Sequence, residues 1–266
     1  MTTKNLAKHY DDAFYEDQVS GSVRSAKIIL EILYDFFQPR SVVDVGCGRG
    51  TWLSVAESLG SEMLTGIDGH WNTKDALLSN NINFIQADLE GHIDIKEKYE
   101  LCISLEVAEH LSEQRAHTFV DTLCKASNVV LFSAATVNQG GENHINEQWQ
   151  SYWVRLFQSN GYKCYDVFRQ AVWENEEVAW WYRQNLFLFL NLPEVEDDFD
   201  IEKLKRMEKT IPDIVHPKSY EIIYLRYKKN EEKVRRHEQL MCNPTFQLCI
   251  NNIKKYFINK FGKVKP

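Results

Sequence analysis

Seven short apolar runs, rich in β-branched and aromatic residues, alternate with stretches of helical period between residues 41 and 191, and this rhythm constrains the fold most. SVVDV, EMLTGID, INFIQAD, YELCISL, NVVLFSA, YKCYDVF and NLFLFLN read as strands. RSAKIILEILYDF (ended by Pro39), TWLSVAESLG, SEQRAHTFVDTLCKA and NEQWQSYWVRLFQSNGY carry apolar residues at helical spacing. In the last of these Trp149, Tyr152, Trp153, Leu156 and Phe157 share one side, Gly161 stops the helix, and Asn146 is placed to cap its start. Strands alternating with helices predict an α/β fold: a Rossmann-like, doubly wound, mostly parallel seven-stranded sheet.

Composition changes near Leu192. PEVEDDFD is an acidic linker, IEKLKRMEKT and KSYEIIYLRYKKNEEKVRRHEQL read as charged helices split by IPDIVHP, and FQLCINNIKKYFINKFGKVKP is amphipathic and basic. The expected organisation is a domain over 1–192 and a charged helical extension over 193–266. Residues 201–266 carry 16 basic and 7 acidic groups, which leaves 15 and 31 for residues 1–200. An acidic body suits a small-molecule enzyme and argues against a general nucleic-acid binder. The basic tail is either a solvated helical face or a surface for something anionic. Its apolar face predicts docking on its own chain or on a second copy in a homo-oligomer, ahead of contact with an anionic membrane.

Six cysteines without a CxxC pair, no apolar h-region at the start and no apolar run near 18 residues point to a reduced, cytoplasmic protein.

The turn after the first strand carries more. VVDVGCGRG, Val42 to Gly50, delivers a Gly-rich turn into a helix start, where backbone N–H groups can meet a ligand. Dinucleotide enzymes use a similar turn, but their fingerprint needs glycine where Thr51 stands. Asp44 lies inside the strand, Asp68 ends the second strand in TGID, and Asp88 follows the third in QADLE. Together these residues resemble the class I S-adenosylmethionine-dependent methyltransferases, whose motifs run D-x-G-x-G-x-G, then an acid, then A-D. The resemblance covers roughly residues 20–190. It implies that S-adenosyl-L-methionine binds with Asp44, Gly46, Gly48 and Gly50 around its methionine part, Asp68 at the ribose, and Asp88 and Leu89 at the adenine, with Cys47 and Gly69 also among the cofactor-binding residues. Leu105 and Arg24 complete the expected set, Arg24 at the cofactor carboxylate.

SLEVAEHL follows the fourth strand, with Glu106, Glu109 and His110 at i, i+3 and i+4, so one helical turn points them the same way. Some members of the family, notably small-RNA 2'-O-methyltransferases, hold a divalent metal with two such carboxylates, this histidine and a further histidine from the loop after the fifth strand. Here that loop is GGENHINEQW, which supplies His144. A sugar hydroxyl is a poor acid and needs either a general base such as His144 or a metal that lowers its pKa. The imidazoles favour Mg²⁺, Mn²⁺, Fe²⁺ or Zn²⁺ over Ca²⁺. The residues leave open whether Glu106 only lines the cofactor and whether Glu109 and His110 only cap the next helix.

Trp173, Trp180, Trp181, Tyr182, Arg183 and Asn185 suit carbohydrate rings and phosphates as well as sheet-covering core. The pairing of H-x-N-E-Q-W-x-x-Y-W with W-Y-R-Q-N resembles a bacterial branch linked to surface-polysaccharide assembly. The implied reaction is O-methylation of a sugar or nucleotide-sugar, with a metal-dependent RNA 2'-O-methyltransferase as the alternative.

Overall fold

A computed structural model describes residues 12–195, 203, 206–207, 213–242 and 246–261. Most of the acidic linker, most of the helix expected over 201–210 and the extreme termini lie outside the described residues.

The elements are α1 (Asp12–Tyr34), β1 (Ser41–Val45), α2 (Thr51–Ser58), β2 (Met63–Asp68), β3 (Asn83–Gln86), β4 (Leu101–Leu105), α3 (Glu113–Ala126), β5 (Val129–Ser133), α4 (Gln150–Ser159), β6 (Lys163–Tyr165), α5 (Arg169–Val172), α6 (Trp180–Asn185), β7 (Phe187–Leu190), α7 (Pro217–Cys242) and α8 (Phe246–Phe261). The strands form one seven-stranded sheet in the order β3-β2-β1-β4-β5-β7-β6. Only β7 runs against its neighbours, pairing antiparallel with β5 and β6. The chain builds outward from β1 through β2 and β3, then returns to lay β4 on the other side of β1. That reversal opens a crevice beyond the carboxyl ends of β1 and β4, where sheets of this kind bind ligands.

Every residue of β1, β4, β5 and β7 is buried, as expected for strands covered on both faces. Alternation sorts them into two layers. Val42, Ile103, Leu131 and Leu188 join Ile29, Leu33 and Leu53 of α1 and α2. Val43, Cys102, Phe132 and Phe189 join Phe119 and Val120 of α3 and Trp153 and Phe157 of α4. Phe157 stacks on Phe189 with ring centroids 3.8 Å apart. Among the described residues no helix is long and apolar enough to cross a membrane.

Two local expectations are corrected. Asn146 does not cap α4, because the helix starts only after Trp149 and has no side-chain cap from its own neighbourhood. The Ser151 amide instead donates to Asp213 Oδ1 at 2.7 Å, and Gln150 Nε2 donates to the Ile214 carbonyl at 2.8 Å. The EVAEH segment is also not one α-helical turn. Glu106 takes a left-handed conformation (φ 54°) and is followed by a 3₁₀ turn over Ala108–His110.

The chain divides into two units, Met1–Ser219 and Tyr220–Pro266. Residues 213–219 therefore belong with the sheet. The His216 amide donates to Gln184 Oε1 at 2.8 Å, and His216 Nδ1 accepts from the Lys218 amide at 3.1 Å, which leaves its Nε2–H for the Trp173 carbonyl at 3.1 Å.

Candidate active site

Backbone builds the donor side of the crevice. At Gly46 the chain turns with φ 86°, and a Cβ there would lie 2.3 Å from Val107 Cγ2. Only glycine lets the loop after β1 lie against the loop after β4. The Gly46 and Cys47 amides donate to the Ile67 carbonyl at 2.7 and 3.2 Å, so the turn leans on β2. Helix α2 opens at Gly50 without a side-chain cap, which leaves its first N–H groups available to a ligand.

Asp68 sits at the end of β2 and is 5% exposed. Its Oδ2 accepts from the Gly48 amide at 2.6 Å and its Oδ1 from the Gly69 amide at 2.7 Å. Asn72 Nδ2 donates to the Gly48 carbonyl, so the two loops are laced together. Burial raises the Asp68 pKa, and hydrogen bonds from Gly69, Gly48, Asn72 and Trp71 oppose the rise. Asp44 lies deeper, and burial holds its carboxyl well above the usual range, with the Asp68 charge adding to the effect. Burial likewise pushes the Cys47 thiol up, which makes it a packing residue rather than a nucleophile.

These contacts bring Asp44, Gly46, Cys47, Gly48, Gly50, Asp68 and Gly69 together. Asp88 is exposed beyond β3, where its Oδ1 accepts from the Glu90 amide at 3.0 Å, while its neighbour Leu89 is buried. Leu105 is buried at the end of β4. Arg24 stands exposed on α1, outside this set of contacts.

Side chains build the acceptor side. Glu106 Oε2 accepts from Gln139 Nε2 at 3.2 Å and its Oε1 from Asn185 Nδ2 at 3.3 Å. Burial raises the Glu106 pKa, opposed by the hydrogen bonds of Ser133, Asn185 and Gln139. Glu109 has no such support. It is fully buried, and neither carboxylate oxygen has a well-formed hydrogen bond. Burial, and after it the neighbouring Glu106 charge, holds its pKa well above the usual range.

Glu109 also anchors the next loop through its backbone. Its carbonyl accepts from the Ile145 and Asn146 amides at 2.9 and 3.0 Å, which carries His144 to the same place. Ligand atoms of Glu109, His110 and His144 all fall within 4.8 Å of one another. Glu106, expected as a fourth member, lies beside Glu109 and is held by the amides. The His110 and His144 rings meet edge-on with centroids 4.8 Å apart. Burial lowers the His110 pKa, the nearby His144 lowers it further, and the Asn143 carbonyl opposes both.

His144 Nδ1 lies 2.9 Å from Glu147 Oε1, which also accepts from the Gly140 amide at 2.5 Å. A carboxylate on Nδ1 selects the tautomer whose Nε2 carries the lone pair. A Cβ on Gly141 would lie 2.1 Å from that Nε2, so the second glycine of the loop makes room for the ring.

Several contributors escape a sequence reading. Gln139 Oε1 accepts from Asn185 Nδ2 and Gln184 Nε2 at 3.0 and 3.2 Å, forming a buried amide network under Glu106. Trp71 folds its ring across Gly69, 2.2–2.4 Å from where a Cβ would stand. Glu147 carried a local signal, being three residues after a histidine in a polar loop. Gln139 carried none.

Residues 15–184 match the family described as Methyltransferase domain. No curated protein matches the chain in sequence. Among solved structures, an O-methyltransferase family protein from Burkholderia thailandensis is similar at 12% identity and TM-score 0.49, over 68% of this chain and 60% of that one. Magnesium protoporphyrin IX methyltransferase from Synechocystis PCC 6803 is similar at 14% identity and TM-score 0.47, over 68% and 88%. An S-adenosylmethionine dependent methyltransferase from Mesorhizobium loti is similar at 13% identity and TM-score 0.41, over 56% and 88%.

Proposed function

Because this chain belongs to the methyltransferase-domain family, we propose that it transfers a methyl group from S-adenosylmethionine to a sugar hydroxyl, on a nucleotide-activated sugar or a glycan end built into a surface polysaccharide. The observation that carries this reading is the dyad of His144 and Glu147 beside the buried Glu109.

When bound, S-adenosylmethionine supplies an electrophilic methyl on a sulfur that leaves as a neutral thioether. Asp68 would accept from the ribose hydroxyls, Asp88 and Leu89 would meet the adenine, and the open start of α2 would hold the methionine end. Glu147 holds Nδ1–H, so His144 Nε2 would accept the proton of an attacking hydroxyl. The imidazolium formed is stabilised by the same carboxylate. An acid as weak as a sugar hydroxyl needs such a base or a metal. The excess of acidic groups in residues 1–200 favours a sugar over an RNA strand.

One observation favours a second reading, a metal-dependent RNA 2'-O-methyltransferase. The orphaned Glu109 carboxylate and the neighbouring His110 and His144 fit a divalent cation of the Mg²⁺, Mn²⁺, Fe²⁺ or Zn²⁺ kind. Such an ion would act as a Lewis acid on the acceptor oxygen. A methyl-transfer screen of nucleotide sugars, glycans and RNA, each with and without EDTA, separates the two. Transfer to a sugar that survives chelation supports the base reading. Chelation-sensitive transfer to RNA alone overturns it.

A further inference from the structure

Helix α7 is 26 residues long, yet only Ser219 in it is buried. Tyr220, Tyr224, Tyr227, Val234 and Met241 are each 46–65% exposed. A helix in water draws most of its stability from packing an apolar face, and among the described residues these side chains remain exposed.

The spacing of that face identifies the packing. Tyr220, Tyr227, Val234 and Met241 recur every seven residues, and Ile223 follows Tyr220 by three. A seven-residue apolar repeat keeps its seam facing another helix only in a left-handed supercoil. Tyr220, Tyr227, Val234 and Met241 then occupy one seam position, and Ile223, Asn230 and His237 the other.

The flanks of the seam identify the partner. Glu231 and Glu238 lie on one side of it, Arg226 and Lys233 on the other. In a parallel, in-register pair, Arg226 faces Glu231 of the other copy and Lys233 faces Glu238, and symmetry repeats both contacts. An antiparallel pair sets Arg226 and Lys233 against each other and Glu231 against Glu238. The pattern is therefore complementary to itself, and only in parallel. Within one chain Glu231 pairs with Lys228 at 3.2 Å. Both side chains are exposed, so that contact competes weakly.

We infer that α7 pairs with α7 of a second copy of this chain as a parallel two-stranded coiled coil along Tyr220–Met241. The polar seam residues Asn230 and His237 make the pair concentration-dependent rather than permanent.

Sedimentation equilibrium of the full chain from about 1 to about 100 μM tests this. The mass is expected to climb from one chain to two. Val234→Glu is expected to weaken association at least about tenfold, with the unfolding midpoint of the unit that carries the sheet unchanged. A double variant carrying Glu231→Lys and Glu238→Lys, and another carrying Arg226→Glu and Lys233→Glu, are each expected to be monomeric. Mixing the two is expected to restore the dimer. A wild-type chain that stays monomeric throughout overturns the inference, as does association that both charge reversals leave unchanged.

Discussion

The two sides of the crevice solve the problem of buried charge in opposite ways. On the donor side Asp68 is met by the Gly48 and Gly69 amides, and the loops around it are tied by Asn72. On the acceptor side Glu109 is sealed in with no well-formed hydrogen bond and a second carboxylate beside it. One region is finished before its ligand arrives. The other holds a desolvation cost that only a proton, a cation or the reacting groups can offset. On the proposed reading, binding the donor and performing the chemistry are separable tasks, and four substitutions probe the two sides.

His144→Ala has the largest effect. The turnover rate is expected to fall about 10²–10⁴-fold, while S-adenosylmethionine affinity by calorimetry stays unchanged. A matching loss of affinity would show that the two sides work as one unit.

Asp68→Ala is the converse. Losing a charge-assisted hydrogen bond costs about 1.5–3 kcal/mol, so the affinities for S-adenosylmethionine and its demethylated product are expected to drop at least about tenfold. Unchanged affinity would remove Asp68 from the ribose site.

Glu109→Gln probes the stored cost. In the ligand-free protein it is expected to raise stability by on the order of 1–3 kcal/mol near pH 8. The sign follows from the raised folded pKa. The folded chain keeps a proton that the unfolded chain has released, so this group erodes stability as pH climbs from the ordinary carboxylate range through the raised value. The difference in melting temperature between variant and wild type should be widest in alkali and close towards about pH 5. A gap independent of pH would mean that Glu109 is not held protonated by burial.

Asp213→Ala has the smallest effect. Removing the cap on α4 is expected to cost about 1 kcal/mol, read as a lower unfolding midpoint. No change would show that the Gln150 contact alone seats the helix.

The same contrast explains what a reader of the sequence can see. The donor side rests on local rules. A β-branched strand, a turn that tolerates only glycine at Gly46 and an acid at the end of the next strand are all written within a few residues of where they act. The sheet follows from the same kind of pattern, down to the buried alternation of Val42 with Val43 and Leu188 with Phe189. The acceptor side was visible as a set of residue types, and Glu109, His110 and His144 do meet. Its wiring was not visible. Asn146 looks like a helix cap by position, but its side-chain Oδ1 accepts from Gln148 Nε2, and the cap comes from Asp213. Glu106 reads as part of a helical turn, but its left-handed backbone and its clamp by Gln139 and Asn185 depend on segments remote in sequence. Nothing within a helix turn of Glu106 specifies them.

The tether formed by Asp213 and His216 has a consequence for how the protein is made. Chains leave the ribosome from the first residue onward, and domains fold as their parts emerge. The glycine turn and Asp68 are available early. The start of α4 and the Gln184 side-chain oxygen find these partners only once residues 213 and 216 have been translated, 62 residues beyond Ser151 in the case of the cap. A nascent chain thus passes through a stage with a formed donor cradle and an unfastened acceptor side. Premature termination before Asp213 would leave the protein at that stage, so the tether makes the final architecture of the catalytic side conditional on having read that far through the message.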